Sequence, residues 1–152
     1  MLQQRTIGKS ISASGVGLHS GKKVNMTLRP ANENIGIVFR RVDLNPIQEI
    51  EAKAEFVSDT VLGTTITKNS ASVMTVEHLL AAFSGLGIDN VYVDLKGPEI
   101  PIMDGSSFPF VKSFESTGIL HQEEDRKVIL VKKEIQVFKN DSFAKIIPNK
   151  QF

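Results

Sequence analysis

The sequence has 152 residues, 41% apolar and 23% charged, which is the balance of a globular chain able to bury a core and not of a disordered one. Its 18 Lys and Arg against 17 Asp and Glu leave a formal charge of +1, and its basic clusters are short (Lys22-Lys23, Arg40-Arg41, Lys132-Lys133), so nothing in the balance points to nucleic acid and no such partner is expected. No apolar run approaches the roughly 20 residues of a membrane span, and the N-terminus lacks an apolar signal core, so a cytoplasmic location is expected.

In chain order, the first sixty-odd residues read as strands joined by turns. Val24, Met26 and Leu28 alternate with polar neighbours, as in a strand with one wet face, and Pro30 ends it. Ile35, Ile37 and Phe39 repeat the pattern, as do Ala52, Ala54 and Phe56. Leu62 to Thr67 is rich in β-branched residues and runs into a turn signal at Lys68-Asn69-Ser70. The period then changes. Val76, Leu79, Leu80 and Phe83 form one apolar helical stripe, with Thr75 as its expected N-cap and Gly85 or Gly87 as its left-handed terminator. Val91, Val93 and Leu95 alternate as another strand. GPEIPIMDGSS is a proline-held loop, and Ser107 is the expected cap of a second helix over 108–116, with Gly118 past its end. The charged stretch 121–127 reads as a linker, followed by the hairpin IQVF–KNDS–FAKIIP.

The sum is an α+β domain, a two-layer sandwich of an antiparallel-rich sheet with helices on one face. Residues 1–126 are expected to form it. Residues 127–152 read as the truncated start, a first hairpin, of a second similar domain, because two strands alone are marginal in water.

Three segments invite chemistry. GVGLHSGKK (15–23) resembles a phosphate loop but has three residues between Gly17 and Gly21 where four are needed, and Lys23 stands where a hydroxyl should. It therefore reads as a glycine turn feeding a strand, with His19 at its tip able to touch a ligand. In TVEH (75–78), Glu77 and His78 sit together in the first helical turn, beside the apolar stripe. The macrodipole favours a carboxylate there, and Glu beside a metal-bound His is a workable general base toward water. Taken alone, such a pair is more often surface decoration. Asp104, in PEIPIMDGSSFPF (98–110), either orients a neighbour or braces its turn, bracing being the simpler role. Absent cysteine removes disulfide and thiolate chemistry and limits metal ligands to His, Asp and Glu. With His19, His78 and His121 scattered, and no HExxH, the chain offers one plausible imidazole ligand where a catalytic zinc usually takes three protein ligands.

Read together, QRTI (4–7), GVGLHSGKKV (15–24), LRPA (28–31), RRVDLNP (40–46), TVEHLLAAFSGLGIDN (75–90) and PEIPIMDGSSFPFV (98–111) resemble the N-terminal half of the UDP-3-O-acyl-N-acetylglucosamine deacetylases, zinc enzymes of lipid A synthesis in Gram-negative bacteria. The resemblance implies two domains of the ribosomal S5 domain 2-like type with an active site between them, the second missing here. It implies Glu77 as general base, His78 as one Zn2+ ligand, the remaining ligands in the missing domain, and UDP-3-O-acyl-N-acetylglucosamine as substrate. It also implies Leu62 beside the site and His19 near the substrate, and a fragment inactive alone. The competing expectation is a complete, non-catalytic ligand-binding or interaction module in which the TVEH helix is only a surface helix.

Overall fold

The computed structural model describes residues 2–149. Twelve strands and two helices follow one another: β1 (Gln3–Ile7), β2 (Ile11–Val16), β3 (Lys23–Pro30), β4 (Ile37–Arg41), β5 (Gln48–Glu51), β6 (Val57–Asp59), β7 (Thr65–Lys68), β8 (Ala71–Met74), α1 (Glu77–Leu86), β9 (Val91–Lys96), α2 (Phe108–Thr117), β10 (Ile119–Asp125), β11 (Ile135–Lys139) and β12 (Ser142–Ile146). The main sheet has the order β2-β3-β9-β4-β5 and is antiparallel except where β4 runs parallel to β9. Smaller sheets pair β1 with β10, β6 with β7 and β8, and β11 with β12.

The main sheet buries two of the expected alternating runs in full, while of the run Ile35, Ile37 and Phe39 only Phe39 is buried and Ile35 lies exposed ahead of β4. Val24, Met26 and Leu28 of β3 face inward with Val91, Val93 and Leu95 of β9 and Phe39 of β4. They form one core with Leu79, Ala82 and Phe83 of α1 and Phe110 and Phe114 of α2, so both helices cover the same sheet face. Phe83 and Phe114 stack with ring centroids 5.1 Å apart. The other face is polar: Arg29 and Arg40 both reach Asp94 and both lie over the Tyr92 ring. The α+β architecture with helices on one face is as expected.

Helix α1 ends as its glycines suggest. Gly87 takes left-handed angles, its N–H donates to the Ser84 carbonyl at 3.1 Å, and the Ile88 N–H donates to that of Phe83 at 2.9 Å, while buried Ile88 closes over the last turn. Its start departs from expectation. Thr75 is not a cap: it lies at φ 60°, and its hydroxyl donates to Glu99 and not to the helix. The Val76 N–H instead meets the Thr64 carbonyl at 3.3 Å. Ser107 precedes α2 but makes no side-chain cap; the Ser106 hydroxyl accepts the Phe108 N–H at 3.2 Å.

Three further expectations are corrected. The stretch 121–127 is not a linker: most of it lies in β10, antiparallel to β1, and Arg126 clamps Asp89 and the Gly87 carbonyl at the end of α1. Local charge hid a strand whose partner is more than a hundred residues away. Ala54–Phe56 forms a 3-10 turn and not a strand, and the strand expected from Leu62 begins only at Thr65. The hairpin at 135–146 turns at Asn140 (φ 54°) and pairs only with itself among the described residues.

Candidate active site

The glycine turn, the loop before β7, the start of α1 and the PEIP loop meet at one place. The turn closes with the Gly21 N–H on the Gly17 carbonyl at 3.0 Å, and Gly21 adopts φ 62° before the chain enters β3. This is the glycine turn expected for 15–23, and it projects His19 toward the loop carrying Leu62 and Gly63. A Cβ placed on Gly63 would lie 3.3 Å from His19 Nε2 and 3.4 Å from Glu77 Oε1. The His19 ring and the Glu77 carboxylate thus both lie close to one point, and Gly63, lacking a side chain, leaves that space unfilled.

Glu77 is half-buried in the first turn of α1, where the helix dipole favours its charge. Its Oε2 accepts the Thr64 N–H at 3.0 Å, which fixes the carboxylate and leaves Oε1 toward the gap. His78 follows it, also half-buried, and its imidazole makes no hydrogen bond among the described residues. A cleft of about 380 Å³ beside the gap is lined by His19, Asp59, Val61, Leu62, Gly63, Thr65, Ser72, Met74 and Thr75. Leu62 is 84% exposed and sits at φ 61°, presenting its side chain to solvent at the rim.

Asp104 lies apart from this cluster's hydrogen bonds and braces its own turn. Its Oδ1 accepts both the N–H and the hydroxyl of Ser106, which hold the carboxyl below its ordinary range.

The residue that inspection of the sequence overlooks is Glu99. It is wholly buried, yet carries a carboxylate. Oε1 accepts the His19 N–H at 3.0 Å and the Thr75 hydroxyl at 2.9 Å, and Oε2 accepts the Ser20 N–H at 2.8 Å. Burial pushes its carboxyl up, but the hydrogen bonds from His19, Ser20 and Thr75 outweigh that and hold it below the usual glutamate value. One signal was available: a lone acid set between Pro98 and Ile100-Pro101, in a string otherwise fit for burial.

No group of three or more His, Asp or Glu placed to hold a metal occurs among the described residues. The cluster therefore brings the Glu77 carboxylate and the His19 imidazole to one gap, while His78 follows Glu77 in the chain and is not among the residues lining the cleft. Comparison with known proteins decides the lineage. The family described as LpxC: UDP-3-O-acyl N-acetylglycosamine deacetylase matches residues 4–152.

The chain belongs to this family.

Similar proteins named UDP-3-O-acyl-N-acetylglucosamine deacetylase come from Xylella fastidiosa (54% identical over 148 residues, 97% of this chain and 49% of the relative) and Legionella pneumophila (53% over 152 residues, 100% and 50%). Another, from Stenotrophomonas maltophilia, is 53% identical over 148 residues, 97% of this chain and 49% of the relative. The chain thus spans about half the length of these curated deacetylases, and the family match takes in the β11–β12 hairpin as well as the sandwich. Among the described residues no helix is long and apolar enough to cross a membrane.

Proposed function

We propose that this chain contributes the general base and one metal ligand to a zinc-dependent deacetylase that removes the N-acetyl group of UDP-3-O-acyl-N-acetylglucosamine in the cytoplasm, the committed step of lipid A biosynthesis. The observation carrying the proposal is the pairing at the start of α1. Glu77 is anchored by the Thr64 amide with its second oxygen free toward the gap, and His78 beside it has no competing hydrogen bond among the described residues. Membership of the family supplies the reaction class.

The donor set fits a shared metal site and not a complete one. His78 would be the ligand from this chain, and further ligands would come from the family's second domain, since three protein ligands are usual at a catalytic zinc. Bound there, zinc would polarise the amide carbonyl and lower the pKa of water. The chain's own part is proton handling and placement. Glu77 takes the proton of the attacking water, the carbonyl carbon gains its oxygen, and the C–N bond breaks to give acetate and the free amine. The amine's proton comes from a histidine outside this chain. His19 faces the same gap and contacts the substrate, and Leu62 offers apolar surface at the rim to its acyl chain. The 152 residues alone would give no turnover, because a single imidazole does not retain the metal.

Acetate release from UDP-3-O-acyl-N-acetylglucosamine by the complete polypeptide tests the proposal. Turnover abolished by a chelator and restored by zinc is expected. A metal-loaded complete protein that releases no acetate defeats it.

A further inference from the structure

We infer that Glu99 is a positioning residue for this site, setting His19 and the start of α1 in register with each other through the hydrogen bonds it accepts from both. The inference rests on the reading of Glu77 and His78 given above. A wholly buried carboxylate is costly unless paired or fully bonded. No ion pair among the described residues reaches Glu99, so donors alone sustain it, and they come from separate elements: the amides of His19 and Ser20 in the glycine turn and the hydroxyl of Thr75 just before α1.

The backbone around Glu99 is tied to the same helix start. The Met74 N–H donates to the Pro98 carbonyl at 2.9 Å, and the Ile100 N–H donates to the Met74 carbonyl at 3.0 Å, which holds Glu99 beside residues 74 and 75. From there its side chain reaches across to the turn. Gly17 makes the approach possible, because a Cβ there would overlap Glu99 Oε2 and Ser20 Oγ. The result is mechanical coupling. The turn that carries His19 is fastened to a residue two places ahead of Glu77, and the His19 ring and Glu77 oxygen then lie within 3.4 Å of one point.

The acceptor must be a carboxylate. Three donors converge on it, and a glutamine would present its own NH2 to one of them. Glu99→Gln therefore keeps the shape and sets an N–H against at least one of these donors, loosening the hold on the glycine turn.

The test is made on the complete polypeptide with histidines isotope-labelled for NMR, the His19 signal being identified by its loss in His19→Ala. In Glu99→Gln the His19 signal shifts while that of His121, on β10, stays. In acetate release kcat falls about tenfold or more with KM within about twofold, because displacement of groups at the reacting centre costs turnover before binding. An unmoved His19 signal, or kcat within about twofold of wild type, overturns the inference. Should Glu99→Gln not fold, Thr75→Val leaves the carboxylate its two amide donors and removes its side-chain bond to the start of α1. There kcat must fall while the His19 signal holds, and unchanged kcat is again fatal to the inference. If wild type releases no acetate, or Glu77→Gln turns over normally, the functional reading fails instead; the His19 signal still reports on Glu99 without turnover.

Discussion

The hydroxyl of Thr75 donates to the buried carboxylate of Glu99 at 2.9 Å, and Thr75 holds φ 60° to do so. A β-branched residue in left-handed conformation carries strain of about 1–3 kcal/mol, which persists only where its surroundings over-determine it. Here the Glu99 bond and the contact of Val76 N–H with the Thr64 carbonyl do so. The chain arrives at Glu77 through this kinked residue and not through a regular cap, so the helix start is aimed by tertiary contacts.

Gly63 keeps the gap between His19 and Glu77 open. Gly63→Leu is expected to fill it and to lower kcat about a hundredfold, as misplacement at a reacting centre does. The thermal midpoint should move little, since the loop is at the surface. Parallel kinetics and thermal melts check this; retained activity would show that the gap is not where reaction occurs.

Leu62, 84% exposed, contributes little to folding in the free protein. Leu62→Ala should change stability by less than about 0.5 kcal/mol. It should raise KM for the acylated substrate up to about tenfold, the scale of one leucine buried on a ligand. An unchanged KM removes Leu62 from the substrate path.

Phe83 and Phe114 join the two helices over the sheet at 5.1 Å between centroids. Either one replaced by alanine should cost about 3–5 kcal/mol in urea unfolding. The double variant should cost less than the sum, since each truncation already forfeits the shared stack. Strict additivity would mean that the rings do not interact.

Stability should fall in acid through Glu99 and Asp43. Burial opposes ionisation of Glu99, but its donors hold the carboxyl below the ordinary 4.5; the Arg41 guanidinium, 2.9 Å from Asp43, lowers that carboxyl further against partial burial. Both are depressed in the folded state, so the unfolded chain binds more protons between the unfolded and folded values. Their contribution is complete above the unfolded value and is lost as pH falls through the folded one. Urea midpoints measured from neutral pH downward should decline below about pH 4.5, and the decline should be shallower in Thr75→Val. An identical slope in that variant contradicts the assignment to Glu99.

Much of this was legible in the sequence because it is local. The alternation at Val24, Met26 and Leu28, the stripe at Leu79 and Phe83 and the glycine stop at Gly87 all follow from backbone period and conformation within a few residues. What escaped was non-local. β10 is a strand because β1 lies beside it, not because its charged residues prefer to be one. Thr75 serves Glu99 across 24 positions and so is lost to capping, and Glu99 has meaning only once the glycine turn folds onto it. Of the site, the types and adjacency of Glu77 and His78 could be read directly. The convergence of His19 on Glu77 through Gly63 could not.

The division of labour between Glu77 and His78 is tested most directly by zinc content and acetate release measured together on complete-protein variants. Glu77→Gln should retain stoichiometric zinc and lose kcat by about a hundredfold or more, as removal of a general base does. His78→Ala should lose the metal itself. A Glu77→Gln protein that turns over at the wild-type rate, or a His78→Ala protein that keeps its zinc at wild-type affinity, would contradict the assignment.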